Sequence, residues 1–413
     1  MTPSKNDPFV AVRIPEYRSL LQGRFIFIMG LRMMGTLVGW WIYQLTNDPF
    51  AIGLVGLSEV IPAVSLALYA GHVIDQSEKR KLLLRGVISY FLAACLLIFI
   101  SSSFIAKHFT NHWISISIYI VIFGTGVIRS FTGPVFSAMI AYIVPRNGLQ
   151  NATTWSQGTW LAASVTGHAM GGFLIGGIGI NNTLIVIASL VTIGFVFLYK
   201  LKPKPTSNRK GAIRTWESVK EGLSFVYKTK EIFGAFSLDL FAVLFGGAVA
   251  LIPIYARDIL KVGPEGFGFL NGASDLGSII IVIILTLFPM KRHHGTKLLL
   301  AVGGFGFCII IFGISKIFIL SFIALLIAGM LDGISVVVRG TITQLKTPDH
   351  MRGRVMSVSS MFVNSSNELG QFESGVTAKL FGTIPAVVIG GGMTLLVVLI
   401  TWVKAPTLRK LEY

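Results

Sequence analysis

Long apolar stretches alternate with short polar turns along almost the whole chain. Most of these stretches reach the roughly 18 apolar residues that a helix needs to cross a bilayer core of about 30 Å. A spanning segment of this kind must satisfy its backbone hydrogen bonds internally, which favours α-helix. We predict twelve transmembrane helices, near residues 20–45, 50–74, 82–106, 113–143, 152–178, 183–200, 232–260, 266–290, 297–315, 317–345, 354–382 and 384–403.

Composition supports a membrane protein and argues against a soluble one. The chain has 413 residues, of which 53% are hydrophobic and only 13% are charged, whereas soluble proteins carry about 25% charged residues. The net charge of +17 is compatible with nucleic-acid binding, but the basic residues cluster in alternate turns between apolar stretches. We therefore expect no nucleic-acid partner, and the lipid bilayer as the main surrounding of the chain.

The two cysteines and the N-terminal segment show no pattern of a disulfide framework, a metal site or a signal peptide. Cys95 and Cys308 both fall inside predicted spans and provide neither a disulfide framework nor metal-ligand spacing. The first 24 residues lack the compact apolar core of a signal peptide. We expect no metal and no cofactor, and a monomer as the working form.

The distribution of basic residues predicts the orientation. An even number of spans places both termini on one side of the membrane. Most of the 35 Lys and Arg residues lie at the termini, in the turns near 80, 146, 291 and 350, and in the 200–230 linker, a group in which we count Arg24. The opposite turns contain only Lys107, Arg257, Lys261, Lys316 and Lys379. Because basic loops stay inside, we expect both termini in the cytoplasm of a bacterial inner-membrane protein.

An internal repeat divides the chain into two halves. "LVGLSEV" at 54–60 matches "LNGASDL" at 270–276, and "KLLL" at 81–84 matches "KLLL" at 297–300. Two six-helix bundles in parallel repeat, with a binding region at the midplane, form a common transporter plan. The predicted fold is therefore an all-α membrane protein of two pseudo-symmetric bundles, at 1–200 and 232–413. The basic linker, 201–231, contains an amphipathic helix that we expect on the anionic inner leaflet.

The turn after the second span carries a motif. Gly71, Asp75, Lys79, Arg80 and Lys81 stand at the spacing Gly-x-x-x-Asp-x-x-x-Lys-Arg-Lys. This arrangement resembles the loop motif between helices two and three of the major facilitator superfamily. The chain departs from that motif with Val73, Gln76 and Glu78, the last of which replaces a glycine and has no assigned role.

Other segments add to the resemblance. "VIRSFTG" keeps the Arg-x-x-x-Gly of the family's fourth helix as Arg129 and Gly133. "TGHAMGG" resembles the antiporter motif of the fifth helix but has His168 in place of proline, which counts against proton antiport. "TPDHMRGRVMSV" is similar to the macrolide-efflux and enterobactin-exporter-like subgroup. The resemblance implies the twelve-helix fold, transport by alternating access and, at Arg129, a link to proton coupling.

Ionisable residues inside predicted spans are the candidates for a substrate and proton cavity. Each costs at least about 2.5–3.5 kcal/mol at the bilayer centre, so such groups face a cavity or each other. The cavity candidates are Arg32, Glu59, Arg129, Asp239 and Asp275. Glu59 and Asp275 are repeat equivalents, which either face each other or act as structural acids within each half.

For the remaining ionisable residues, alternatives stay open. Asp239 either exchanges protons or extends to the near interface, and Arg129 either couples protons or pairs within the bundle. Arg339 lies near the end of its span and is expected to pair with a loop acid. Asp332 and the two acids of the eleventh span, Glu368 and Glu373, are not assigned.

The loop motif is a candidate cytoplasmic gate. We hypothesise that Asp75 meets the positive N-terminal end of the eleventh helix, or an arginine, when the inner side is shut. The gate residues are Gly71, Asp75, Lys79, Arg80, Arg146, Arg352 and Arg354.

The sequence predicts a secondary active transporter and no enzyme. Proton-coupled export of an amphipathic organic solute, a drug or a siderophore-like molecule, agrees best with the motifs. An importer or a lysolipid-translocating carrier on the same scaffold is the alternative. A nucleotide-binding domain is not expected, because no segment outside the predicted spans exceeds about 30 residues.

Overall fold

The computed structural model describes residues 9–204, 215–288, 290, 293–348 and 351–412. Within these ranges the protein is helical almost throughout and contains no β-strand. Many large apolar side chains are more than half exposed, among them Leu96, Ile120, Phe173, Leu287 and Leu399. Exposed apolar surface on this scale is typical of a protein surrounded by lipid.

The N-terminal half contains six α-helices. They are α1 (Pro15–Thr46), α2 (Pro49–Gln76), α3 (Lys79–Ile100), α4 (Ser103–His108), α5 (Asn111–Ile143) and α6 (Leu149–Tyr199). α6 is 51 residues long and is interrupted at Gly179, whose φ of 80° and ψ of 174° are not helical. Glycine adopts positive φ without steric penalty, so the chain can begin a new crossing at this point.

The C-terminal half is preceded by a linker helix, α7 (Thr215–Lys228). The next helix, α8 (Lys230–Phe245), continues through a 3-10 turn, a short helix α9 (Ile252–Ile254) and a π-helical turn at Tyr255–Ile259. The remaining helices are α10 (Gly263–Leu287), α11 (His294–Ile314), α12 (Phe318–Lys346), α13 (Arg352–Phe381), α14 (Thr383–Lys404) and α15 (Pro406–Arg409).

The helices confirm the twelve predicted crossings. Ten helical segments in the described ranges are long and apolar enough to span a membrane. α6 supplies two crossings because Gly179 divides it. The twelfth is α13, which is long enough at 30 residues but too polar to qualify by composition.

The chain forms two compact units: residues 1–41 with 61–210, and residues 42–60 with 211–413. In the first unit, Phe27 packs against Tyr90 and Phe136, with ring centroids 5.3 and 6.0 Å away. In the second, a core of buried side chains joins α7, α8, α11, α12, α13 and the C-terminal end. Its members include Val226, Phe236, Leu298, Val338, Val355 and Leu408.

The linker helix α7 packs on protein as well as presenting an exposed face. Val226 is buried in the core of the second unit, and a Cβ on Gly222 would lie 3.0 Å from the carbonyl oxygen of Arg354. Leu223 and Tyr227 on the same helix are exposed. Ile213 of the predicted amphipathic stretch lies outside the described residues. The side of α7 that carries Val226 therefore faces protein, whereas the placement of the linker helix on the inner leaflet stays a prediction for the side that carries Leu223 and Tyr227.

Candidate functional site

A buried ion pair lies within the second unit. Asp239 on α8 and Arg339 on α12 are only 5% and 8% exposed, and the Arg339 guanidinium is paired with the Asp239 carboxylate. Arg339 Nε also donates a hydrogen bond to the backbone oxygen of Ser335, at 3.3 Å. Two opposite charges that are buried together offset much of the cost that either alone would have in a membrane.

This pair corrects two of the sequence-based alternatives. Arg339 was expected to bind a loop acid, but its partner is on a neighbouring helix within the membrane-spanning region. Asp239 does not extend to the interface, because the pairing keeps its carboxylate inside the unit. The sequence shows both charges but not that α8 and α12 are neighbours.

A second carboxylate, that of Asp332, interacts with both members of the pair, and a third, that of Asp275, interacts with Asp332. Asp332 on α12 interacts electrostatically with Arg339 and with Asp275 of α10, and Asp239 also senses Asp332. A small cavity is lined by Asp239, Asp332 and Ser335 together with apolar side chains. The structure thus gathers two predicted site residues, Asp239 and Asp275, around Asp332, which the sequence left unassigned.

The helix that carries Asp239 is discontinuous. α8 ends at Gly246, where the backbone leaves helical geometry, and continues through the 3-10 turn at Ala248–Leu251. A Cβ on Gly247 would lie 2.7 Å from the carbonyl oxygen of Gly370 on α13. Broken helices near the midplane are typical of transporter binding sites, and here the break is packed backbone to backbone against α13.

α13 is polar for a helix of its length and position. Glu368 is buried and its Oε2 accepts a hydrogen bond from Gln371 Nε2 at 3.0 Å. Thr377 Oγ1 donates to Glu373 Oε1 at 2.7 Å. Polar groups in membrane helices face the protein interior or an aqueous path. Sequence reasoning noted both acids without assigning them, although the low hydropathy of this span was the signal that distinguishes it.

The C-terminal end of α1 and the first part of α2 belong to the second unit, and this part of α2 packs on α13. A Cβ on Gly375 would lie 2.8 Å from the Cα of Gly53, and one on Gly56 would lie 2.8 Å from the Cβ of Gln371. Backbones approach this closely only where both residues are small. Glu59, one helical turn beyond Gly56, is partly buried.

Polar contacts reinforce the same packing. Lys379 of α13 binds Asp48 at 2.7 Å. The Tyr43 hydroxyl donates a hydrogen bond to Asp258, and Arg257 Nη1 donates to the backbone oxygen of Tyr43 at 3.3 Å. These pairs were not predictable from the sequence, because their partners are more than 200 residues apart.

In the first unit, the side chain of Arg32 on α1 lies against α6. Its guanidinium lies over the Trp160 ring, 4.8 Å from the centroid. One turn later, Thr36 Oγ1 and His168 Nδ1 form a hydrogen bond of 2.7 Å, so His168 packs at a helix seam. Arg129 on α5 is partly buried.

Arg24 belongs inside this unit and not in a loop, which corrects its assignment. It lies in α1, forms a hydrogen bond with Ser156 and lies over the Phe136 ring, 5.5 Å from the centroid. The charge pattern cannot show this, since Arg24 lies only a few residues after the start of the first predicted span and was counted with the basic N-terminal segment.

The loop motif lies at one end of the first unit. Gly71 and Asp75 fall in α2, but the side chain of Asp75 lies outside the described residues. Lys79 is buried and its Nζ donates to the backbone oxygen of Ser77 at 3.1 Å. Arg80 Nη2 donates to the backbone oxygen of Tyr199 at 2.6 Å.

Of the other predicted gate arginines, Arg146 opens a 3-10 turn before α6, and Arg352 and Arg354 lie in the first turn of α13. Arg146 and Arg352 are exposed. Arg354 has a partner within its own unit, Glu221 of α7.

Glu78 has a structural role that the family comparison of the motif did not suggest. Its carboxylate caps α3 by accepting the backbone N–H groups of Arg80 and Lys81 at 2.9 and 3.0 Å, and it also accepts that of Lys204 at 3.0 Å. Burial raises the pKa of Glu78, but these three hydrogen bonds outweigh burial and hold the pKa below its ordinary value. Glu16 binds the same stretch, accepting from the Lys202 N–H and pairing with Lys204 Nζ at 2.8 Å.

Twelve crossings within the described residues, a discontinuous helix packed on a polar one, and charges held inside the membrane-spanning region are the features of a membrane transporter. The chain belongs to the Major Facilitator Superfamily, whose model matches residues 20–371. It is a membrane transporter and not an enzyme.

Similar proteins include bacterial exporters and solved transporters. The enterobactin exporter EntS of Shigella dysenteriae serotype 1 (strain Sd197) is 25% identical over 347 residues, covering 83% of this chain and 80% of EntS. EntS of Escherichia coli O81 (strain ED1a) has the same identity and coverage.

Solved structures share the fold at lower identity. A D-xylose-proton symporter covers 98% of this chain and is itself covered completely, with a TM-score of 0.74 and 12% identity. The nucleoside transporter NupG covers 94% of the chain and is covered over 98%, with a TM-score of 0.70 and 15% identity. At these identities the likeness shows the fold alone.

Proposed function

We propose that this transporter exports an amphipathic organic solute, a drug or a siderophore-like molecule, in exchange for protons. It works by alternating access as a monomer in a bacterial cytoplasmic membrane, with both termini in the cytoplasm. The similarity to enterobactin exporters supports export and a siderophore-like substrate. The observation that carries the coupling is the buried pair of Asp239 and Arg339.

The pair couples a proton to movement for an electrostatic reason. When a proton neutralises Asp239, Arg339 keeps its charge in a site that is almost closed to solvent. An unpaired charge there is costly, so the guanidinium turns to Asp332 or leaves the site. Either response displaces α8 relative to α12. Proton entry thereby favours one arrangement of these helices, and proton loss favours the other.

The predicted cavity residues supply the substrate contacts. Arg32 over Trp160 combines a fixed positive charge with an aromatic face, which suits an anionic aromatic solute such as a catecholate. Glu59, Arg129 and Asp275 are assigned to the same cavity on the basis of the sequence. The loop motif, with Gly71, Asp75, Lys79, Arg80, Arg146, Arg352 and Arg354, is assigned to the cytoplasmic gate.

An importer, or a carrier that translocates lysolipid, is the alternative. A site built from aromatic and apolar side chains with a few charges accepts a lipid headgroup and chain as well as a drug. The direction of net movement and the substrate class distinguish these candidates.

Transport in proteoliposomes tests the proposal. Vesicles are loaded with a catecholate siderophore, a cationic dye or a fluorescent lysolipid, and efflux is followed with and without a proton gradient. We expect gradient-driven movement of the siderophore or dye that an ionophore abolishes. Movement that survives collapse of the gradient contradicts proton coupling. Transfer of the lysolipid alone supports the alternative.

A pair of variants makes the test specific. Asp239→Asn removes the titrating group and is expected to abolish gradient-driven transport. Glu412→Gln removes an exposed acid that pairs with His293 and is expected to transport normally. Equal transport by both variants would exclude Asp239 as the coupling group.

A further inference from the structure

The cavity beside the ion pair is unusual for its position in a membrane helix bundle. It is lined by Asp239, Asp332 and Ser335, with Ala242, Val243, Val302 and Phe305 completing the wall. It has room for about one water-sized particle. A space of this size is too small for an organic substrate and right for a single water or a small ion.

The charges around the cavity do not balance. Asp239 and Asp332 line it directly, and Asp275 on α10 acts on Asp332. The cation that acts on these groups is Arg339, whose guanidinium is committed to Asp239. One positive charge thus serves the two carboxylates that line the cavity, in a region of low dielectric where excess charge of one sign is strongly unfavourable.

Ser335 is an independent indication of a ligand. The residue is 2% exposed, and its Oγ has no hydrogen-bond partner among the described residues. Its backbone oxygen already accepts from Arg339, so the hydroxyl alone is unsatisfied. Buried hydroxyl groups almost always have a partner. Ser335 also lies three residues after Asp332, on the same face of α12, and both line the one cavity.

We propose that this cavity binds one small monovalent cation, either Na⁺ or hydronium, between Asp239, Asp332 and Ser335. Carboxylate and hydroxyl oxygens are the ligands that hard cations prefer, and a single positive charge reduces the excess of carboxylates without reversing it. A divalent ion fits less well, because Ca²⁺ and Mg²⁺ require about six oxygen ligands. The assignment of this ion as the coupling ion rests on the proposed function, whereas the binding site itself does not.

Thermal unfolding of the purified protein tests the binding. Na⁺ is titrated against choline at constant ionic strength and neutral pH, and pH is varied separately in choline alone. A cation that binds only the folded protein raises the unfolding temperature progressively with its concentration. We expect either Na⁺ or acidification to stabilise the wild type, and the response to disappear in Asp332→Asn and in Ser335→Ala.

A matched variant controls for loss of any buried serine. Ser321 is also fully buried on α12, but its hydroxyl is already bound to that of Ser315 at 3.0 Å. It lies 14 residues from Ser335, or about 21 Å along the helix. Ser321→Ala is therefore expected to keep the full cation response, whatever its effect on stability in the absence of cation.

The possible results distinguish Na⁺ from hydronium and show whether the proposed site is wrong. Stabilisation by Na⁺ assigns the site to Na⁺. Stabilisation by acid alone, lost both in Asp332→Asn and in Ser335→Ala, assigns it to hydronium. Absence of both responses, or equal responses in wild type and Ser335→Ala, overturns the proposal. Proton-driven efflux that persists in a protein without either response would leave the proposed function standing and remove only this inference.

Discussion

The buried pair of Asp239 and Arg339 allows a stability effect to be separated from a transport effect. Both side chains are at most about a tenth exposed, so Asp239→Ala leaves a guanidinium unpaired inside the second unit. Breaking a buried pair in this way costs about 3–5 kcal/mol. We expect the free energy of unfolding to fall by this amount, which lowers the folding equilibrium constant by a factor of roughly 100 to more than 1,000. The loss for Asp239→Asn should lie at the lower end of this range, because the amide oxygen can still accept a hydrogen bond from Arg339.

A double variant then distinguishes the two roles. Asp239→Asn with Arg339→Gln removes both charges and leaves groups that can bond to each other, so most of the stability should return. If the pair serves only packing, transport returns with it. If the pair carries the coupling, the double variant is folded but does not concentrate substrate against its gradient. Unfolding is measured in one defined detergent, and transport in proteoliposomes from the same preparation.

A second ion pair on the same two helices is the control. Glu231 of α8 and Lys346 of α12 are 3.1 Å apart but are 23% and 42% exposed. Exposed pairs contribute about 0–1 kcal/mol, so Glu231→Gln should change unfolding by no more than this and leave transport intact. If Asp239→Ala is no more destabilising than Glu231→Gln, the burial argument for the inner pair is wrong.

Two other features give direct predictions. Gly375→Ala puts a Cβ about 2.8 Å from Gly53 and should cost roughly 1–3 kcal/mol of the α2–α13 packing, raising cysteine labelling near residue 48. The control is Gly392→Ala, where nothing lies within 4 Å of the added Cβ, so this variant should not raise the labelling. Equal labelling in the two variants would refute the close approach of α2 and α13. Glu78→Gln should lower the unfolding temperature at neutral pH. Because the pKa of Glu78 is depressed by folding, its stabilisation is complete above the ordinary value of 4.5 and disappears as pH falls through the lower folded value. A difference between wild type and Glu78→Gln that persists unchanged below both values would contradict the capping role.

Long apolar runs predicted the crossings, because most of these helices face lipid on one side and must be apolar. α13 is the exception, since it is long enough to cross but too polar to qualify by composition. The division of α6 at Gly179 was also predictable, since the apolar runs at 152–178 and 183–200 are separated by a polar Asn-Asn pair after a glycine-rich stretch. The amphipathic pattern of α7 predicted a helix correctly but not what covers it. An apolar face is the same in sequence whether lipid or another helix lies against it.

The site was only partly predictable for a related reason. Single buried charges such as Asp239 and Arg339 are conspicuous in an apolar span, so both were identified as residues that required explanation. Their pairing depends on which helices are neighbours, and neither periodicity nor charge counting contains that information. Ser335 was not identifiable from the sequence, because a serine is ordinary in a membrane helix. Its hydroxyl becomes notable only once the structure shows it buried with no hydrogen-bond partner in the described part of the chain.

The ion pair, the helix break and the glycine contacts all lie within the second unit and connect α8 with α13 and α2. Asp239 is seven residues before Gly246, about 10 Å along α8, and the break there separates the charged segment from the part beyond it. Gly247 then packs on Gly370, and five residues further along α13 Gly375 packs on Gly53 of α2. Under the proposed coupling, a displacement of α8 on neutralisation of Asp239 is therefore expected to reach α2 by way of α13. Both junctions are close contacts between glycine backbones, which leave little room for a shift to be absorbed.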